Sequence, residues 1–259
     1  METFLLFLLV GVLAQAVDGS LGMAYGVISS SVLLAVGVPP AMASATVHGA
    51  EVFTTAASAG SHILHKNVDW RLFTPLAIAG VIGGCLGAYV LAGIEGNAIK
   101  PFVVAYLAIM GVFILWRAGH EITLRRIRAW TVAPLGVVGG FLDAAGGGGW
   151  GSTVSSTLVG AGQEPRRAIG TVNTAEFFLT VAISATFVWS LMTGHWQDAG
   201  ALENHASAVG GLVVGGLLAA PFAGLIAKRV PRKAMTYAVG FLLVILAGFQ
   251  GLQLAGVLA

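Results

Sequence analysis

Charged side chains are scarce in this chain, because Asp, Glu, Lys and Arg together supply only 9% of its residues. Soluble domains carry about 25% charged residues on surfaces that face water, so a soluble globular protein is excluded. An apolar content of 57% and a mean hydropathy of +0.89 indicate a surface that faces lipid instead. The apolar runs are long enough for helices, and the sequence therefore predicts an all-α integral membrane protein.

Cysteine is nearly absent as well. The single one, Cys85, lies in an apolar, glycine-rich run, which excludes a disulfide framework and is typical of a packing residue. The sequence contains no His or Cys cluster with metal-ligand spacing, no P-loop and no nucleophile elbow, so nothing indicates a structural metal, nucleotide hydrolysis or acyl chemistry. We expect a protein that is not an enzyme, that needs no cofactor and that has no nucleic-acid partner.

Apolar runs bounded by charge or proline account for most of the chain. They fall at about 3–17, 20–37, 42–63, 72–93, 99–116, 131–143, 148–162, 168–193, 205–227 and 234–257. A helix needs about 20 apolar residues to span the hydrocarbon. The first, sixth and seventh runs fall clearly short of that length, and the second falls marginally short.

These four runs are interpreted as two hairpins of re-entrant or broken helices, at 1–37 and 131–162. The breaks coincide with the glycine-containing segments 18–22 and 143–149. Irregular backbone inside a membrane is tolerated only where protein or an aqueous cavity satisfies its polar groups. The two breaks therefore mark the predicted functional site.

Residues 11–60 and 136–185 are two copies of one segment, aligned without a gap at an offset of 125 and identical at eighteen of fifty positions. The identical pairs with ionisable side chains are Asp18 with Asp143 and Glu51 with Glu176. Two carboxylates per copy thus lie within apolar stretches. Charge in hydrocarbon is costly unless it is used or satisfied, which favours a functional role for these residues.

The duplication divides the chain into repeat 1 at 1–116, a cytoplasmic linker at 117–130 and repeat 2 at 131–259. Each repeat is predicted to contain one hairpin and three transmembrane spans, at 42–116 and 168–257. Because the number of crossings is odd, the second repeat is inverted relative to the first. Inverted repeats are typical of secondary transporters, whose sites lie between the repeats near the bilayer midplane.

The orientation follows from the positions of the thirteen Lys and Arg residues. Twelve of them lie in four connections, at 64–71, 117–130, 163–167 and 228–233. Cytoplasmic loops carry an excess of basic residues, so we expect these connections to be cytoplasmic. Both termini and the loop at 194–204 then lie outside. The prediction is a multi-pass protein of the bacterial inner membrane with periplasmic termini.

A polar stripe follows the hairpin in each copy. Helical spacing places His48 and Glu51 on one helix face in repeat 1, and Asn173 and Glu176 on the equivalent face in repeat 2. The glutamates are predicted to exchange protons or to bind a coupling cation, with Thr46 and Thr171 among the neighbouring hydrogen-bond groups. The alternative is that each glutamate caps backbone N–H groups freed by the hairpin break.

The hairpin breaks supply the other candidates. Asp18 and Asp143 are either proton or cation sites or N-caps of the following half-helix. Tyr25 and Trp150 occupy one repeat position and either line the cavity or pack against neighbouring helices. The run 146–149 offers backbone N–H groups to an anion or permits close helix packing. The complete set of candidate substrate- and coupling-ion-binding residues is Asp18, Tyr25, Thr46, His48, Glu51, Asp143, Gly147, Gly148, Trp150, Thr171, Asn173 and Glu176.

Several motifs together resemble one known family. They are the glycine-containing hairpins, the turns with Pro40 and Pro165 that lead into threonine-containing helices, and the segment 67–71 followed by Pro75 and the glycine-rich helix 80–87. Over essentially the whole chain this pattern resembles the TauE/SafE family, the sulfite exporter or toluene-sulfonate uptake permease type of bacterial membrane transporter. The resemblance implies a secondary transporter of small sulfur-containing anions such as sulfite, sulfonates and sulfoacetate.

An anion would be repelled by four ionised carboxylates, by about 4 kcal/mol per close pair at an effective dielectric near 20. We therefore expect proton coupling through these carboxylates, with a small anion, the coupling proton or cation and the lipid bilayer as partners. One alternative is a sodium or divalent-metal transporter with the carboxylates as ligands. Another is a non-transporting membrane sensor or subunit. The sequence leaves the exact substrate, the transport direction, the stoichiometry and the oligomeric state open.

Overall fold

The computed structural model describes residues 2–21, 24–119, 128–197, 202–229 and 232–257, and these residues form helices and connections without a strand. The helices are α1 Glu2–Leu21, α2 Tyr25–Ala35, α3 Pro40–Leu64, α4 Trp70–Ala92, α5 Gly96–Ala118, α6 Val132–Gly146, α7 Ser156–Gly160, α8 Pro165–Met192, α9 Leu202–Arg229 and α10 Arg232–Leu254. A 3₁₀ turn at Ala129–Thr131 precedes α6, and a π-helical turn at Gly151–Ser155 precedes α7.

Five helical stretches of the described chain are long and apolar enough to cross a membrane. They are Trp70–Ala92, Gly96–Ala118, Ala129–Gly146, Pro165–Met192 and Thr236–Leu254. Large apolar side chains on the outer faces of these helices are exposed, as Phe102 and Ile245 show. Such faces suit contact with lipid, so the all-helical membrane architecture expected from the composition is confirmed.

The first half of each hairpin is longer than its apolar run. Helix α1 has 20 residues and continues through Asp18, and the 3₁₀ turn with α6 forms an 18-residue stretch that continues through Asp143. The expectation that the sixth run falls short of a span was therefore wrong, whereas α1 is not among the five stretches named above and the expectation for the first run stays a prediction. A polar side chain such as that of Asp18 or Asp143 does not interrupt the backbone hydrogen bonds of a helix. Each helix therefore continues past its Asp until the backbone itself changes direction.

The backbone changes direction at residues with positive φ. Ala24 has a φ of 101° and directly precedes α2, which is 11 residues long. Gly147, Gly148 and Gly149 have φ values of 74°, 139° and 135° and separate α6 from the π-helical turn. Glycine adopts these angles without the steric cost of a Cβ. The second halves of both hairpins are therefore short.

Parts of four predicted connections lie outside the described residues. They are 22–23 of the first hairpin break, 120–127 of the linker, 198–201 of the loop at 194–204, and 230–231 of the connection at 228–233.

The first helix of each hairpin packs against a long helix from the other half of the chain. Helix α1 packs most extensively along α9, and α6 packs along α4. Side chains at Gly215 and Gly83 would collide with the backbone carbonyls of Leu8 and Val137, so glycine permits both close contacts. Helices α3 and α8 pack against each other, and α5 packs against α10. The polar stripes of α3 and α8 are thereby enclosed.

Candidate functional site

The centre of the site is a contact between helix α3 and the end of α6. His48 Nε2 lies 3.0 Å from Asp143 Oδ2, and both side chains are almost completely buried. The other ring nitrogen, Nδ1, lies 2.8 Å from the backbone carbonyl of Ser44. Ser44 Oγ in turn donates to the backbone carbonyl of Ala144 at 2.6 Å. One hydrogen-bonded chain therefore joins repeat 1 to repeat 2.

Both ring nitrogens of His48 face hydrogen-bond acceptors. Nε2 faces the Asp143 carboxyl group, and Nδ1 faces the backbone carbonyl of Ser44, with Ser44 Oγ also 3.2 Å away. A neutral imidazole carries one N–H donor, whereas an imidazolium carries two. A neutral His48 can therefore donate to only one of these two acceptors at a time, and a protonated His48 can donate to both.

Both Asp residues cap the helical turn that follows them. Asp143 Oδ1 accepts a hydrogen bond from Trp150 N at 2.7 Å, and Asp18 Oδ1 lies 3.5 Å from Tyr25 N. The two contacts join equivalent positions of the repeats, each seven residues apart. Asp143 thus caps the backbone with one oxygen while the other contacts His48, and its role as a proton or cation site stays a prediction. For Asp18, which is partly exposed, the structure gives only the cap.

The glycine run between α6 and the π-helical turn is satisfied by protein groups. The N–H groups of Gly147 and Gly148 donate to the backbone carbonyl of Asp143. Their carbonyls accept from Ser30 Oγ and from Tyr106 OH, the latter at 3.2 Å. In this conformation a backbone carbonyl occupies the N–H groups of Gly147 and Gly148, and anion binding by the glycine run stays a prediction.

Glycine also allows the two hairpins to touch. A Cβ on Gly26 would lie 2.7 Å from Gly148 Cα and 3.0 Å from Glu51 Oε1. A Cβ on Gly148 would lie at least as close to the backbone of Gly26. Real Cβ atoms essentially never approach other atoms this closely, so positions 26 and 148 both need glycine. The crossing of the hairpins thereby brings the Glu51 carboxylate against the backbone of α2.

Glu51 and Glu176 are buried, with exposed fractions of 3% and 7%. Glu51 Oε2 is enclosed and has no hydrogen-bond partner among the described residues. The capping role considered for this glutamate is therefore not seen at that oxygen. Glu176 lies within electrostatic range of Glu51, Asp18 and Asp143. The four carboxylates predicted from the repeat thus interact electrostatically, and we refer to them together as the carboxylate cluster.

The remaining polar residues of α3 and α8 have separate environments. Asn173 Nδ2 donates to Ser58 Oγ at 3.1 Å, while its Oδ1 is buried without a partner in the described chain. Thr171 Oγ1 accepts from Asp69 N at 2.8 Å, in the connection between α3 and α4. Thr46 lines a cavity between α3, α8 and α9. Neither threonine contacts the carboxylate cluster in the contacts that the structure gives.

The two aromatic candidates are packing residues. Trp150 is fully buried, contacts the backbone of Gly80, and donates from Nε1 to the carbonyl of Val172 at 3.1 Å. Tyr25 is buried and donates from its hydroxyl to the carbonyl of Leu212 at 3.0 Å. Both side chains thus tie a hairpin to a long helix. They do not line the Thr46 cavity.

Sequence reasoning did not include several residues that support the site. Ser44 lies four residues before His48, so helical i, i+4 spacing could have identified it. Ser30 and Tyr106 had no such signal, because their contacts with the glycine run depend on how α2 and α5 pack. Among the described residues, no three His, Cys, Asp or Glu side chains are grouped as metal ligands.

Comparison with known proteins gives a family for this site and fold. The family model described as "Sulfite exporter TauE/SafE" matches residues 7–249. The chain is 41% identical over 250 residues to the probable membrane transporter protein YtnM of Bacillus subtilis (strain 168), which covers 93% of this chain and 80% of that relative. No solved structure matches. The resemblance noted from the sequence is confirmed, and the chain belongs to the sulfite exporter TauE/SafE family of membrane transporters.

Proposed function

We propose that this membrane transporter is a secondary transporter that moves a small sulfur-containing anion, with sulfite as the first candidate, in exchange for or together with protons. The observation that carries the proposal is the contact between His48 and Asp143, a buried pair of ionisable side chains that joins the two repeats. Buried ionisable groups between the repeats of a membrane protein are typical of proton relays in transporters.

Two inverted repeats are part of this proposal. The helix contacts support them. The repeat offset relates α1 to α6 and α4 to α9, and the structure pairs α1 with α9 and α6 with α4. Thr55 Oγ1 and Thr180 Oγ1, which are separated by the repeat offset of 125, lie 3.4 Å apart. Contact between equivalent residues is expected where a two-fold axis passes between the copies. The axis would run between α3 and α8, beside the carboxylate cluster.

Protonation reconciles an anionic substrate with four carboxylates. An anion is repelled by ionised Glu51 and Glu176, and this repulsion falls when the carboxylates bind protons. Proton binding and anion binding then favour each other, which is a coupling free energy between two ligands. A proton taken up by His48 would place positive charge and a second N–H donor beside the same cluster. The site is therefore suited to an anion only while it is protonated.

The comparisons support the substrate class of this proposal, and the charge distribution supports its orientation. The family description names a sulfite exporter, and sulfite is small and anionic. The basic connections support periplasmic termini in a bacterial inner membrane. A bilayer then surrounds the long helices, and the carboxylate cluster lies within it.

A cation transporter is the second candidate, because Oε2 of buried Glu51 has no hydrogen-bond partner among the described residues and is the kind of oxygen that ligates cations. Transport assays in sealed proteoliposomes separate the two. Under an imposed proton gradient, we expect accumulation of sulfite or a simple sulfonate that a protonophore abolishes. Accumulation of sodium or a divalent metal, without any gradient-driven anion flux, would overturn the proposal in favour of the cation transporter. Empty liposomes and liposomes with the Glu51→Gln variant serve as controls.

A further inference from the structure

Polar side chains follow one face of α3 for most of its length. They are separated by alternating steps of four and three residues, which is the spacing that places helical side chains on one face. The members of this α3 stripe are Ser44, His48, Glu51, Thr55, Ser58 and His62. From Ser44 to His62 the α3 stripe is about 27 Å long, which is close to the thickness of a bilayer's hydrocarbon core.

The burial of the α3 stripe changes along the helix. Its members from Ser44 to Thr55 are almost completely buried. Ser58 and His62 are half-buried, and His65, one further step of three residues along the helix, is exposed. The α3 stripe therefore approaches the surface at its His62 end. This end adjoins the basic connection at 64–71, which is predicted to be cytoplasmic.

The stripe residues that follow Glu51 contact polar groups of α8. Thr55 Oγ1 donates to the backbone carbonyl of Glu51 and lies 3.4 Å from Thr180 Oγ1. Ser58 Oγ accepts from Asn173 Nδ2 at 3.1 Å. A hydroxyl group rotates between partners and both donates and accepts hydrogen bonds, so each of these side chains is able to pass on a proton.

His62 lies at the end of this series. Its Nδ1 is 3.2 Å from Asn67 Nδ2, and His65 and Arg166 are the charged or titratable groups within electrostatic range. An imidazole takes up a proton on one nitrogen and releases one from the other. His62 is therefore suited to exchange protons between the surface and the hydroxyl groups of the α3 stripe.

Repeat 2 does not continue its stripe in the same way. The offset of 125 relates Ser58 to Ile183 and His62 to Phe187, and both apolar side chains are buried, with exposed fractions of 0% and 2%. Ser184, four residues after Thr180, has a buried hydroxyl oxygen without a partner among the described residues. Apolar side chains neither donate nor accept protons, so the two copies differ in the part that leads away from the carboxylate cluster.

We propose that Thr55, Ser58 and His62 carry protons between the carboxylate cluster and the end of α3, and that Ile183 and Phe187 close the equivalent route in repeat 2. The inference rests on the proposed proton-coupled function and adds to it the side from which the cluster exchanges protons. Each transfer forms an O–H or N–H bond at one group as the bond at the preceding group breaks, so no further reactant is needed. With the predicted orientation, the cluster exchanges protons with the cytoplasm.

Proton uptake by the full chain in detergent, without substrate, tests the route. After a rapid drop in pH, infrared absorption of protonated carboxyl groups reports the uptake, and the part that Glu51→Gln removes is assigned to Glu51. His62→Phe gives repeat 1 the residue that repeat 2 has at this position. Because the phenyl ring offers the moving proton no hydrogen bond, uptake at Glu51 should slow by about tenfold or more. Detergent leaves both ends of the protein in water, so slowing also means that the repeat 2 end does not replace the route.

Ser58→Ala removes the hydroxyl group without adding volume and should also slow uptake at Glu51, by about threefold or more. The test therefore does not depend on His62→Phe remaining folded. The matched controls are Ser61→Ala, at an exposed position of the same helix off the α3 stripe, and His195→Phe, in the connection between α8 and α9. Both controls should change the uptake rate by less than about twofold.

Unchanged uptake in both His62→Phe and Ser58→Ala would overturn the route, as would the absence of any infrared band that Glu51→Gln removes. The test is independent of the transported anion. Slowed uptake in the variants of a protein that accumulates no anion would contradict the proposed substrate and leave the route standing. Anion accumulation under a proton gradient, with unchanged uptake rates in both variants, would retain the proposed function and overturn the route.

Discussion

His48 Nε2 and Asp143 Oδ2 lie 3.0 Å apart although they belong to different copies of the repeat. The mirrored pair would be Asn173 with Asp18, but Asn173 donates to Ser58 and Asp18 accepts from the backbone of Tyr25. Asparagine has no proton to exchange near neutral pH. The two copies therefore supply similar carboxylates and only one imidazole, and proton exchange is expected to depend mainly on the repeat 1 stripe.

The first prediction concerns His48→Asn, which gives repeat 1 the residue that repeat 2 has at this position. Because the amide cannot take up a proton beside Asp143, gradient-driven anion accumulation in proteoliposomes should fall at least about tenfold. The same substitution at exposed His65 should have little effect. Accumulation with the parent's rate and pH dependence in His48→Asn would contradict proton exchange through this pair.

Glu51→Gln and Glu176→Gln should each nearly abolish uphill transport while the protein remains folded. The amide has the size of the carboxylate and similar hydrogen-bonding capacity, but it cannot bind a proton or hold a cation by charge. Initial rates under an imposed gradient measure the effect, and thermal unfolding of the purified variant measures folding. The exposed Glu164→Gln is the matched control. Loss of folding with transport retained in the folded fraction would indicate a structural role instead.

Gly148→Ala should destabilise the protein strongly. Gly148 has a φ of 139°, and a Cβ there would overlap the backbone of Gly26 in the other hairpin. Overpacking of this kind costs about 1–3 kcal/mol, and the positive φ adds strain. We expect a lower unfolding temperature in detergent. Gly60→Ala in α3 has open space around the new methyl group and should be neutral or stabilising. Equal stability of the two variants would argue against the hairpin contact.

The orientation is tested with cysteines at Gln197 and Glu164, both exposed ends of connections predicted to lie on opposite sides. In a Cys85→Ala background, an impermeant thiol reagent added to intact cells should label Gln197→Cys and not Glu164→Cys. Both should react after the membrane is permeabilised. The reverse pattern in intact cells would place the basic connections outside and contradict the positive-inside assignment.

The amino-acid sequence by itself determined the class of protein, the duplicated segment and the four carboxylates, because charge within apolar runs is visible without coordinates. It also placed the backbone irregularity at residues 143–149, since consecutive glycines both permit positive φ and stop a helix. It did not give the length of α1 or α6. Apolar runs end at the first polar side chain, whereas helices end where backbone hydrogen bonding ends.

Only the tertiary structure decided what each carboxylate contacts. Asp18 and Asp143 are the same residue in the two copies, yet Asp143 alone meets a histidine, because His48 reaches it across 95 positions of the chain. Thr46 and Thr171 are likewise equivalent in sequence, yet one lines a cavity and the other is bonded to Asp69. A repeat specifies which side chains occur in both copies. The packing of α3 against α8 and of each connecting loop decides the partners of those side chains, because these contacts join residues that no local spacing relates.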